Sequence, residues 1–349
     1  MGVNDNIFDD IVRSRLGLIR FEHRTGRRIR SIFRSVEREN LAYLLSLDEY
    51  QLPKYGAQHK LAILRELSSR YRFGSDDAIR EISEAMQEAA RKEGRDMYFS
   101  MQKNIPSELG EYGISLTQVP EQALIEILDS PVLGDFTQSV REYSGKFNMD
   151  TSAALDRALG ASLVHGEGVA EISRRLAEIT GRRAKDMETF SRTAIQTAGY
   201  RAQKSFYEQN KDVISKVVYM ATFDLRTCPI CAGYHGKEYD IGKEPPVPIH
   251  ANCRCTFTPK TKSWEELGAR VKMAPLAPAT IASMDGGVPD TMSLEAWIKK
   301  QAKTEDGMKV LARNWGRGRA EHFKKGKVGL SDLAVRRNGY NRVKALREL

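Results

Sequence analysis

The sequence predicts an α+β protein that is predominantly helical, with a small β-sheet and a cysteine/histidine knuckle packed on helices and helical regions on both flanks. Three observations predict it. Long stretches repeat apolar residues at helical spacing, beginning with Ile7, Ile11, Leu16, Ile19, Ile29, Ile32, Phe33, Val36 and Leu41. Only a few short runs, first among them Ile214–Phe223, alternate and favour β-branched residues. All four cysteines of the chain, Cys228, Cys231, Cys253 and Cys255, fall in one short stretch together with His235 and His250.

Taken in order, residues 7–45 form one or two helices, with Gly26 the candidate bend. An arginine series runs through them: Arg13, Arg15, Arg20, Arg24, Arg27, Arg28, Arg30, Arg34 and Arg38. A solvated face accounts for it, as does an arm that touches DNA or an acidic ring of partner subunits. Residues 48–53 make a break at Pro53. Helices follow at 59–71 and 76–101, the second capped by Ser75 and apolar along Ala78, Ile79, Ile82, Ala85, Met86 and Ala89. A polar linker, 106–113, precedes a helix opened at Pro120 and closed at Ser130-Pro131. Asp150 or Thr151 then caps a further helix, Gly166-Glu167-Gly168 turns the chain, and helices follow at 169–179 and 184–210. After the strand at 214–223, Glu238–Ile241 and Cys255–Thr258 are two more. Pro245, Pro246 and Pro248 keep the intervening chain irregular.

The knuckle is the chemical signal. Cys228-x-x-Cys231 presents two sulfurs to one side of a tetrahedron, and His250, Cys253 and Cys255 compete for the remaining two positions of a structural zinc. If Cys253-Arg254-Cys255 enters a strand, its two sulfurs point to opposite faces and only one of them binds. A disulfide or free thiols are the alternatives, the former disfavoured in a reducing cytosol. No histidine is followed by glutamate, so there is no metalloprotease helix. There is also no P-loop, no nucleophile elbow and no dinucleotide turn.

Asp224-x-Arg226-Thr227-Cys228-x-x-Cys231, then Gly236-Lys237, then Pro248-x-His250-x-Asn252-Cys253-Arg254-Cys255 resembles the signature of phage Mu F-type minor head proteins, often called head morphogenesis proteins. Arg192-Thr193 is similar to the pair that opens the helix preceding the motif in that family. Ala194 replaces an acidic residue often found there, and Ala251 replaces a proline. The resemblance implies a structural, non-enzymatic protein of the phage head. It would associate with the portal protein and the major capsid protein, sit in the virion after assembly in the host cytoplasm, and lie close to packaged double-stranded DNA. It also implies that Arg192 hydrogen-bonds the cysteine loop, through Asp224. A zinc-knuckle DNA-processing enzyme of nuclease type is the competing reading, since His235, His250 and Asn252 lie near the cysteines. Their spacing does not lay out a general base beside a hydrated ion.

Composition divides the flanks into a basic helical arm (1–110), a helical connector (111–149), a Pro/Ala/Gly-rich linker (261–292) and a basic helical tail (293–349), and the resemblance implies a Mu F-like domain with the knuckle between them (150–260). Trp315, Phe323 and Tyr340 are interleaved with the tail's cations and suit either stacking on bases or a small core of their own. The net charge of +9 fits a neighbour of nucleic acid or of an acidic partner. No apolar run approaches the about 20 residues that span a bilayer, and Met1–Asn6 lacks a signal-like apolar segment. Both flanks are expected to stand off from the centre and reach neighbouring subunits.

Overall fold

The computed structural model describes residues 3–47, 55–105, 107–133, 136, 138–165, 167–263, 265–268, 280–283, 286–289, 293–337 and 340–344. The break expected at 48–53 and most of the linker's first half lie outside them.

Three long helices form the body: α1 (Val3–Leu45), α2 (Ala57–Asn104) and, after α3 (Glu121–Asp129) and α4 (Val140–His165), α5 (Val169–Gln209). At 1.5 Å per residue each is about 60–70 Å long. α1 and α2 are antiparallel, because Asp10 meets Lys103 at one end while Val36 meets Gly74 towards the other. α5 runs alongside α2, with Tyr71 on Thr180 and Glu93 on Gln203.

Two helix breaks expected from the sequence do not occur. Ser75 is buried inside α2 rather than capping a new helix, and Gly181 lies inside α5. Gly26 likewise lies within α1. A Cβ at Gly74 would fall 2.3 Å from Val36 Cγ2, and one at Gly26 would fall 3.0 Å from Glu188 Cγ. These glycines let neighbouring helices approach closely, and the packing gained outweighs the local stop signal. α4 starts ten residues before Asp150, so Thr151 is interior, its hydroxyl donating to the Phe147 carbonyl at 2.7 Å. Leu41, assigned to the apolar face, is exposed, and Leu44 is buried in its stead.

The sheet is antiparallel, in the order β2–β1–β3, from β1 (Ile214–Met220), β2 (Glu238–Tyr239) and β3 (Thr256–Thr261). Pro259 pairs with Val217 and is tolerated because β3 is an edge strand. Tyr207 Oη donates to the Phe257 carbonyl at 2.9 Å, fixing the sheet to the end of α5. A short helix, α6 (Pro229–Tyr234), lies between β1 and β2. The linker, for which no secondary structure was expected, carries a hairpin, β4 (Thr280–Ser283) with β5 (Gly286–Pro289). The tail forms α7 (Leu294–Gln301), α8 (Glu305–Trp315), α9 (Arg317–Lys324) and the hairpin β6 (Ala334–Arg337) with β7 (Tyr340–Val343).

The flanks share the central core. One buried cluster joins Ile7 and Ile11 of α1, Met97 and Met101 of α2, Phe206 and Tyr207 of α5, the sheet, Cys231, Cys253 and Cys255, and Trp297, Trp315, Phe323 and Leu333 of the tail. Trp315 and Phe323 are therefore core residues, in edge contact at 5.1 Å, and present no face for a base to stack on.

Candidate metal centre

β1 ends at Met220, and the chain turns through Thr222 and Asp224 into α6. Asp224 Oδ1 accepts the Arg226 N–H at 2.8 Å, an Asx turn, while its carboxylate binds both Arg226 and Arg254. Burial opposes the charge, but the bonds from Arg226 and Arg254 hold this carboxyl down at about 2. Thr222 Oγ1 donates to the Arg254 carbonyl at 2.8 Å, and Thr227 Oγ1 to the Thr222 carbonyl at 2.6 Å. Two loops distant in sequence are thus laced together before any sulfur is considered.

Cys228 is the N-cap of α6, its sulfur accepting the Cys231 N–H at 3.3 Å, and Pro229 takes the first helical position, where no N–H is required. This places the sulfurs of Cys228 and Cys231 together. His250 reaches them from the second loop, its Nε2 3.1 Å from Cys228 Sγ and 3.4 Å from Cys231 Sγ. Cys253 Sγ is 3.7 Å from Cys231 Sγ. Cys255 joins Cys231 and Cys253, so that the five residues form two triads sharing Cys231. The sulfurs of Cys253 and Cys255 were expected to diverge. They converge because residues 253–255 precede β3 and are free of strand alternation. Asn252, in the left-handed region at φ 57°, turns the chain into that course, and Arg254 points away to Asp224.

The donor set suits zinc. With Zn–S near 2.3 Å, a tetrahedral S···S edge is about 3.8 Å and an S···N edge about 3.5 Å, against 3.7, 3.1 and 3.4 Å here. The electrostatics point the same way. Bonds from Cys231 and His250 lower Cys228 to about 5, and bonds from Cys231 and Cys255 lower Cys253 well below an ordinary thiol. Hydrogen bonding to Cys228 raises Cys231, and burial raises Cys255. Burial disfavours the His250 cation, yet the Cys228 bond and the charges on Cys253 and Cys228 lift it to about 10. The thiols of Cys228 and Cys253 are thus made more acidic within the cluster, and a divalent soft-ligand metal would displace the protons that the donor set still holds. The four cysteines form no disulfide.

His235 stands outside the cluster. Its Nδ1 accepts the Ala221 N–H at 3.2 Å, its ring packs edge-on to Phe223, and burial lowers it to about 4, so it is a neutral packing residue. Arg192 does not reach Asp224; it pairs with Glu188, as Arg30 does at 3.0 Å. Its neighbour Thr193 makes the helix-to-loop bond instead, accepting the Asn252 N–H at 3.1 Å.

Two anchors escaped the sequence reading. Buried Arg15 of α1 donates to the carbonyls of Arg254, at 3.3 Å, and Cys255, at 2.5 Å. Its signal was position, since it follows Ile11 by four residues and precedes Ile19 by four, on the apolar face. Trp315 Nε1 donates to the Thr227 carbonyl at 2.8 Å, and a Cβ at Gly233 would meet the Leu330 carbonyl at 2.9 Å, so the tail closes over α6.

Residues 153–258 match the family described as Phage Mu protein F like protein. No curated protein and no solved structure matches the chain. Residues 1–152 and 259–349 lie outside the match, which takes in the second half of α4, all of α5, the knuckle and most of the sheet. Over residues 153–258 the chain is similar to the phage Mu protein F-like family.

Proposed function

We propose that the protein is a structural minor head protein of a tailed bacteriophage, bound to the portal and the inner capsid surface during head morphogenesis, with the knuckle as its structural zinc staple. The observation that carries this reading is that the family match falls on the knuckle and on the helix that holds it. In this reading Cys228, Cys231, His250 and Cys253 bind one zinc, and Cys255 is the adjacent thiol. Cys253 is preferred because its charge acts on His250, whereas Cys255 lies against Tyr219. A structural role follows from enclosure: Cys231, Cys253 and Cys255 are 2%, 1% and 3% exposed, and a catalytic zinc keeps an open position.

The opposite end of the helical body supplies an attachment surface. A groove of about 890 Å³ between α2 and α4 is lined by Leu61, Leu64, Met149, Arg65 and Arg72. Leu61 and Met149 are exposed there, at 46% and 69%, as apolar side chains are before a partner covers them. Co-expression with the portal protein of the same phage is the test. The proposed role requires a complex that persists at moderate salt and is lost in Leu61→Asp/Met149→Asp, with normal folding by circular dichroism. A protein that neither binds portal nor enters heads refutes it.

A further inference from the structure

We infer that the outer face of α1 is a binding surface for the phosphate backbone of duplex DNA. At 100° per residue, the positions of α1 between 20 and 38 that fall within one arc of about 80° are 20, 24, 27, 31, 34 and 38. They are Arg20, Arg24, Arg27, Ser31, Arg34 and Arg38, every arginine among them exposed. The five arginines extend over about 27 Å of helix, the rise of roughly eight base pairs. The opposite face buries Ile29, Phe33 and Val36 against the body, so the stripe faces away from it.

The charges on this arc are free. Among the described residues Arg20, Arg24, Arg27, Arg34 and Arg38 form no ion pair, and Arg24 has only the Phe21 ring, at 5.8 Å. The acids lie at its edges. Arg28, turned towards α2, pairs with Glu81 near Glu84 and Glu88. Arg30, turned towards α5, pairs with Glu188, and beyond the stripe's start Arg13 pairs with Asp9. α1 thus neutralises its flanking arginines and leaves the central row uncompensated.

The composition of the row chooses the partner. A protein interface has an apolar centre inside a polar rim, and this arc contains no apolar side chain between 20 and 38. Arginines with one serine and no apolar anchor suit sequence-independent contact with phosphates. In naming DNA the inference rests on the head reading. Duplex binding by purified protein is measured apart from head incorporation, so the failure of one is distinguishable from the failure of the other.

The test is fluorescence anisotropy of a labelled 30-base-pair duplex of arbitrary sequence with the full chain, over a range of sodium chloride. Arg20→Gln/Arg27→Gln/Arg34→Gln is compared with Arg95→Gln/Arg157→Gln/Arg182→Gln, which removes equal charge from exposed sites elsewhere. The stripe variant should bind at least tenfold more weakly in low salt and reduce the logarithmic salt slope by about 2 to 3, one phosphate per arginine removed. The control variant should stay within about twofold of the unaltered chain. Equal losses in both variants, absence of duplex binding at low salt, or displacement of the duplex by equimolar polyglutamate would each overturn the inference, the last in favour of an acidic protein partner.

Discussion

Cys253 and Cys255 flank one arginine, and the three side chains do different work. Arg254 locks the loop to Asp224, Cys253 faces His250, and Cys255 faces Tyr219. Zinc content by elemental analysis should therefore fall from about one per chain to near zero in Cys253→Ser and remain in Cys255→Ser. Equal loss in both would make Cys255 a ligand as well. A second residue-scale outcome concerns Glu22, buried beneath the loop and bonded by Gln196 Nε2 at 2.5 Å. Burial raises its carboxyl from 4.5 to about 7. The unfolded chain releases this proton first, so Glu22 lowers stability progressively as pH rises from about 4.5 to about 7, and by a constant amount above that. Glu22→Gln keeps an acceptor for Gln196 without the charge. It should be more stable than the unaltered chain at pH 8, by about 3 kcal/mol for a shift of about 2.5 pH units at 1.36 kcal/mol each, and of equal stability near pH 4. A melting-temperature difference that ignores pH would refute this.

At the scale of elements, periodicity identified helices and their apolar faces but not where they end. Ser75-Asp76-Asp77 has the composition of a helix start, and it lies mid-helix because Gly74 admits Val36 of α1. The information is in the partner helix, nearly forty residues away, and no local window contains it. The motif itself was legible, down to His250 and all four cysteines. The side of the chain on which Cys255 lies was not, because it depends on where β3 begins. Gly74→Ala tests the packing account by a change of sign. Alanine favours a helix by about 1 kcal/mol over glycine, but its Cβ would collide with the stiff, branched Val36, a strain that costs about 1–3 kcal/mol. Gly74→Ala alone should therefore destabilise in urea titrations. In a Val36→Ala background it should become neutral or stabilising. The same penalty in both backgrounds would mean that the two helices do not meet there.

For the whole molecule, the question is whether the knuckle domain is independent of its flanks. Composition suggested that it is, since basic helices joined by Pro- and Gly-containing stretches resemble appendages. The contacts argue otherwise. Ile7 and Ile11 enter the core that holds the cysteines, Ile29, Phe33 and Val36 fill the seam between α2 and α5, and Arg15 donates to two carbonyls of the knuckle loop. Removing residues 1–56 would strip these apolar groups from both clusters and leave the carbonyls of Arg254 and Cys255 without Arg15. Each large buried side chain lost costs about 2–5 kcal/mol, and a domain's whole margin is about 5–15 kcal/mol. The 57–349 fragment should therefore lose cooperative thermal unfolding and bind an exposed-surface dye, although the family-matched residues are all present. Zinc should fail to rescue it, since the loop that carries His250 and Cys253 is held partly by α1. By contrast, chelating zinc from the full chain should lower the melting temperature while α1, α2 and α5 stay protected from hydrogen exchange, because their seam lies away from the sulfurs. A fragment that melts cooperatively within a few degrees of the full chain would restore the first residues to the status of an arm.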